Sequence, residues 1–145
     1  MVEEAAEMAP QMPKHGEFCW SEIATTDKEK CLPFYENVFG WNFTKSEGSG
    51  GGDEMEYLEF SSSGDFPDGA FYEMTPEMYG GGELPPAHIN LYISVDDIDA
   101  SLEKATSLGG TVVFGPYDIP NVGRFGIISD PAGAHISMIT LSTPN

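Results

Sequence analysis

The sequence predicts an α+β fold, built as two tandem β-α-β-β-β units that enclose a central cavity. Three observations point there: an internal repeat, strand-like alternation around each copy of it, and glycine- and proline-rich joints between the runs. The segment IATTDKEKCLPFYENVFGW at 23–41 lies over ISVDDIDASLEKATSLGGT at 93–111 with an offset of 70 residues. Ile23 then matches Ile93, Asp27 matches Asp97, Leu32 matches Leu102 and Gly40 matches Gly110. Further on, DGAFYEM at 68–74 lies over AGAHISM at 132–138 with an offset of 64, the shorter value attributed to a glycine loop present only in the first half.

Residues 1–14 hold Met, Glu, Ala and Pro without a period of 2 or 3.6 and are expected to be a disordered tail, so that the domain spans 15–145. Unit one covers 15–74, a linker covers 75–86 and unit two covers 87–142. In EFCWSEIA, alternation places Phe18, Trp20 and Glu22 on one face of a strand and Cys19, Ser21 and Ile23 on the other. Asp27 is the expected N-cap of a helix to Phe39, with Leu32, Tyr35, Val38 and Phe39 on its apolar stripe and Gly40 as its stop. Pro33 lies beyond the first turn, where a missing N–H predicts a kink or a late helix start. Strands are expected at 41–46 and 55–61, joined by EGSGGGD, and at 69–74. In unit two, Asp96 or Asp97 caps a helix whose stripe is Ile98, Leu102, Ala105 and Leu108, and strands follow at 111–114, 124–129 and 134–141.

The chain of 145 residues carries 24 acidic and 6 basic side chains, for a formal net charge of −18. Such a surface repels phosphate backbones and anionic lipid, so neither nucleic acid nor a membrane is expected as a partner. No apolar run approaches the roughly 20 residues of a membrane span, and acids stand at the N-terminus where a secretory signal carries bases. Cytoplasmic residence follows as the expectation. Cys19 and Cys31 form neither a disulfide framework nor a CxxC pair, and are read as reduced and buried.

The motifs ATTDKEKCLPFYENVFGW, VDDIDASLEKATSLGG and DIPNVGRFGIISDPAGAHISMI together resemble the vicinal oxygen chelate superfamily of glyoxalase I, bleomycin-resistance proteins and extradiol dioxygenases. CWSEIATTD with GRFGIISDPAGA looks most like its single-domain glyoxalase-like branch. The resemblance implies one glyoxalase-like domain, a homodimer, and a metal site with a His or Glu from the first and fourth strand of each unit. Counted from the helix caps and turns, those positions are Trp20, Glu73, Asn90 and Ser137, of which Glu73 alone is a good ligand. No metal cofactor is therefore expected. The alternative is a divalent ion such as Zn, Ni, Fe or Mn, displaced one step along the strands to Glu22, His88 and His135 with Glu73.

With those positions facing inward, the expected ligand-binding lining is Phe18, Trp20, Glu22, Phe71, Glu73, His88, Asn90, Tyr92, His135, Ser137 and Ile139. Aromatic walls with a few polar groups suit a flat, aromatic or cationic small molecule. Arg124, the chain's one arginine, is a further candidate for gripping a ligand carboxylate or phosphate, with an acidic ion-pair partner as the alternative. Glu73 is the candidate general base, with His88 or His135 as acid partner. Three classes stay open: a metal-free binder of the antibiotic-sequestering kind, a lyase-, isomerase- or dioxygenase-like enzyme, and a structural dimer whose cavity Trp20 fills.

Overall fold

The computed structural model describes residues 12–45, 57–62 and 67–142. The start of the expected tail, the glycine-rich hairpin tip at 47–53 and most of the turn before Gly69 lie outside the described residues. Unit one contains β1 (Phe18–Thr25), α1 (Lys28–Phe39), β2 (Asn42–Lys45), β3 (Leu58–Ser61) and β4 (Gly69–Glu73). Unit two contains β5 (His88–Ser94), α2 (Ile98–Ser107), β6 (Thr111–Ile119), β7 (Gly123–Ser129) and β8 (His135–Leu141). A short 3-10 turn at Pro76–Tyr79 sits in the joining segment. The described strands form one eight-stranded sheet in the order β2-β3-β4-β1-β5-β8-β7-β6. No helix among the described residues is long and apolar enough to cross a membrane.

The two units meet at the antiparallel pair β1–β5, and its register carries the repeat. Ser21 pairs with Leu91, which is its own counterpart 70 residues on, while Glu22 pairs with Asn90 and Trp20 with Tyr92. A pseudo-twofold axis therefore passes between Ser21 and Leu91. Each unit closes through a parallel pair, β1 with β4 and β5 with β8.

Those parallel pairs correct one expectation. Glu22 pairs with Ala70 and Ala24 with Tyr72, whereas Tyr92 pairs with Ser137 and Ser94 with Ile139. Ala70 thus corresponds to Ser137 and the true offset of the fourth strands is 67, not 64. Because strand side chains alternate, an odd slip of three turns every side chain of β4 to the opposite face. Phe71 and Glu73 share the face of Ile23 and Thr25; Tyr72 takes the face on which they were expected.

Both helices cover that first face. Under α1, Ile23, Leu58, Phe60 and Phe71 form a buried cluster, packed by Cys31, Leu32, Tyr35, Trp41 and Phe43. Under α2, Val95, Ile98, Leu102 and Met138 form a second cluster. Leu102 comes close because Gly126 beneath it has no side chain: a Cβ there would meet the leucine at 3.1 Å. Unit one instead holds its helix off on rings, with Tyr35 edge-on to Phe71 at 5.9 Å and Trp41 stacked on Phe60 at 4.3 Å. The expected stripe of α1 is consequently covered only in part, and Val38 and Phe39 stay 55% exposed. In unit two Leu108 lies one residue beyond the end of α2 and is 70% exposed, rather than joining its stripe. The two cysteines are half-buried and unbridged.

The caps follow the sequence. Asp27 accepts from the Lys30 amide at 3.1 Å, Asp97 accepts from the Ala100 amide at 3.1 Å, and Gly40 ends α1 at φ 71°. The helix starts at Lys28 rather than after Pro33. Pro33 leaves the carbonyl of Glu29 without its helical donor, but Glu29 is exposed and water can serve it. Asp27→Ala is expected to cost about 1 kcal/mol in urea unfolding, because it orphans the Lys30 amide.

Candidate functional site

The face of the sheet opposite the helices brings together a carboxylate and an unusual density of phenols. Trp20, Glu22 and Ala24 of β1 lie beside Tyr92, Asn90 and His88 of β5. Glu22 is the centre. Its Oε2 accepts from the Tyr57 hydroxyl at 2.5 Å and its Oε1 from the Tyr92 hydroxyl at 3.0 Å. The Asn90 side chain is near enough to favour its ionised form, and so is the charge of His88. Burial pushes the Glu22 carboxyl above the usual carboxylate range, and these hydrogen bonds and His88 offset that only in part.

The rings around Glu22 respond to it in turn. Burial, then the neighbouring carboxylate, push the hydroxyls of Tyr57, Tyr72, Tyr79 and Tyr92 upward, so all four remain protonated donors at neutral pH. Tyr57 and Tyr72 stack with centroids 6.0 Å apart, and the Trp20 side chain lies close enough to Tyr57 to ease its ionisation slightly. On the other flank Tyr92 lies 6.1 Å from Phe125, which contacts Phe114 at 5.8 Å and Tyr117 at 6.1 Å. One aromatic surface thus runs across both units.

Of the candidates named from the sequence, Trp20, Glu22, His88, Asn90 and Tyr92 converge here. Ser137 shares the face beside Tyr92 but is fully buried, its hydroxyl without a partner. His135 stands exposed at the start of β8. Phe71 is core, under α1. Glu73 also points to the helix side, where its Oε1 accepts from the Lys28 amide at 2.7 Å and helps to cap α1, away from the Glu22 site. Phe18 lies past a bulge in β1 that breaks the alternation, and is 66% exposed. It borders an open hollow of about 490 Å³ with Cys19, Trp20, Ser21, Pro67, Asp68 and Leu91, so Trp20 lines this hollow as well as standing beside Glu22, which does not line it. Arg124 is engaged by acids: Nε and Nη2 donate to Asp99 at 3.0 and 3.1 Å, and Nη1 to Asp118 at 2.9 Å.

Sequence reasoning missed Tyr57, Tyr72, Phe114, Tyr117 and Phe125. Tyr57 was within reach, since it alternates with Leu58 and Phe60, both of which are core. Tyr72 was lost with the register of β4.

With this geometry in place, a profile of the Glyoxalase/Bleomycin resistance protein/Dioxygenase superfamily matches residues 18–138. The chain belongs to this superfamily. It is similar to CFP32 of Mycobacterium tuberculosis, which carries a glyoxylase name, with 37% identity over 124 residues, 86% of this chain and 44% of that protein. It is also similar to the anthracycline biosynthesis protein DnrV of Streptomyces peucetius, with 32% identity over 126 residues, 82% of this chain and 45% of DnrV. The chain therefore spans less than half the length of these two relatives. Methylmalonyl-CoA epimerase of Streptomyces coelicolor shares the fold at a TM-score of 0.56 and 17% identity, over 89% of this chain and 99% of the epimerase.

The superfamily resemblance implies a metal, and the donors do not fit one. The expected ligand positions hold an indole (Trp20), an amide (Asn90), a buried hydroxyl (Ser137) and, at the register-corrected counterpart of Ser137, the methyl group of Ala70; Glu22, His88 and Tyr72 share their face. Among the described residues no three His, Cys, Asp or Glu gather in a geometry that could hold a metal ion. Glu22, the carboxylate that does reach the face, is engaged by tyrosine hydroxyls.

Proposed function

We propose that the chain binds a small organic molecule on the open face of its sheet and does so without a metal. The observation that carries this is Glu22, held by Tyr57 and Tyr92 one strand step from Trp20, a position at which the superfamily would place a metal ligand. Rings on either side give a flat ligand stacking surface, and the polar groups fix its orientation. The name of DnrV makes an anthracycline, a planar polycyclic compound with an amino sugar, the first probe to try. Titrating one into the protein should give saturable quenching of tryptophan emission that Tyr72→Ala weakens about tenfold or more, the scale of one lost stacking contact with its buried area. Protein grown with zinc, iron, nickel and manganese and purified without chelators should carry metal far below stoichiometry. A stoichiometric metal would overturn the metal-free reading.

A second reading draws on the raised carboxyl of Glu22 beside protonated phenols, an arrangement suited to moving a proton at a carbon next to a carbonyl. Under it Glu22, rather than Glu73, is the acid/base group. Turnover of any substrate found should then vanish in Glu22→Gln and survive in Glu73→Gln.

A further inference from the structure

We propose that the Glu22 site receives the cationic head of its ligand, a protonated amine or a quaternary ammonium. This rests on the open face being a binding surface, and it names the chemical class that the surface selects. Glu22 is a carboxylate whose hydrogen-bond donors are two neutral phenols, with the Asn90 amide close by. None of the chain's lysines, nor its arginine, pairs with it among the described residues, which include all six of them. Arg124 is held elsewhere by Asp99 and Asp118. A carboxylate has about four acceptor sites. Tyr57 and Tyr92 use two and Asn90 stands beside them, which leaves an acceptor site for a further donor.

The surroundings favour a cation over any other occupant. Tyr72 and Tyr79 lie close enough to Glu22 to feel its charge, Tyr57 donates to it and stacks on Tyr72, and Trp20 stands beside Tyr57, so the carboxyl is surrounded by aromatic rings. Aromatic faces attract cations, most strongly where water is partly excluded. An anion would meet Glu22 and a protein of net charge −18, and an uncharged ligand would leave the cost of burying the carboxylate unrelieved. His88 is the titratable base whose charge reaches Glu22, and its Nδ1 is already engaged with the Pro86 carbonyl at 2.7 Å. The groups facing Glu22 are thus Trp20 on its own strand, Tyr57 before β3, Tyr72 on β4, Tyr79 in the 3-10 turn, and His88, Asn90 and Tyr92 on β5.

Benzyltrimethylammonium and its uncharged carbon isostere neopentylbenzene, titrated in parallel by displacement of a bound fluorescent dye, isolate the charge. We expect the cation to bind about tenfold tighter or more than the isostere at pH 8. That ratio should collapse toward one in Glu22→Gln, and Tyr79→Leu, at the 40% exposed rim, should lower it with less risk to folding. Because a bound cation favours the ionised carboxyl, calorimetry below the titration of Glu22 should also record proton release to buffer on binding the ammonium. Equal binding of cation and isostere, unchanged in both variants, would overturn the cation proposal while leaving the open face a binding surface. Binding of neither would overturn both.

Discussion

Replacing Phe71 with alanine is expected to remove about 3–5 kcal/mol of stability, the loss typical of a phenylalanine deleted from a closed core. Phe71 is fully buried, edge-on to Tyr35 at 5.9 Å and to Phe43 at 5.5 Å, and it lies in the cluster that seats α1. Against a total of about 5–15 kcal/mol for a domain of this kind, that loss leaves the variant near the edge of folding at 37 °C. Urea unfolding should show a lower midpoint at unchanged slope. Its neighbour supplies the control. Tyr72→Ala removes a half-buried ring from the open face and should cost about 1–2 kcal/mol, while weakening any ligand that stacks there. A reversed order, with Tyr72 the costlier deletion, would mean that β4 sits one residue out of register and that Glu73 faces the site.

That pair of residues also marks the limit of what the sequence discloses. The strand-helix repeat was legible because its signals are local and doubled: Asp27 and Asp97 cap their helices, and Ser21 and Leu91 meet across the axis that an offset of 70 requires. The fourth strands offered a misleading cue. DGAFYEM and AGAHISM share Gly, Ala and Met, and aligning those letters puts Glu73 over Ser137. Burial obeys a different rule: Phe71 and Met138 are the side chains that fill the space under the helices, and that sets the offset at 67. A large ring beside a glutamate in a strand buried on one side should have been given to the core, with the glutamate following it by alternation. On β1 and β5 the same alternation placed Trp20, Glu22, His88, Asn90 and Tyr92 together, since no insertion separates those strands from their helix caps. Nothing in the sequence announced the bulge that turns Phe18 aside, whereas the acidic ion pair weighed for Arg124 is what the fold provides, through Asp99 and Asp118.

The wild-type chain is expected to lose stability relative to Glu22→Gln as pH rises from about 4 toward neutrality, the range in which an ordinary glutamate ionises. In the unfolded chain Glu22 has an ordinary carboxyl; in the folded chain burial holds its proton to higher pH. Below both titrations each state carries the proton and the difference is flat. Once the unfolded form has ionised and the folded form has not, the folded state binds more protons, and stability falls with pH until the folded carboxyl also ionises. Each unit of separation is worth about 1.4 kcal/mol. The comparison with Glu22→Gln is needed because other acids pull the opposite way. Asp130, bonded by the Ala134 and Ala132 amides, and Asp99, bonded by Arg124, sit below the usual range and contribute stability that is lost as pH falls. Those contributions cancel in the difference, whereas the mismatch of one glutamine amide with two tyrosine donors adds an offset that does not vary with pH. A slope of the opposite sign would mean that the tyrosine donors and the neighbouring Asn90 outweigh burial. Saturating benzyltrimethylammonium should flatten the slope in the wild type and leave Glu22→Gln unmoved, because a cation beside Glu22 removes the penalty on its ionised form.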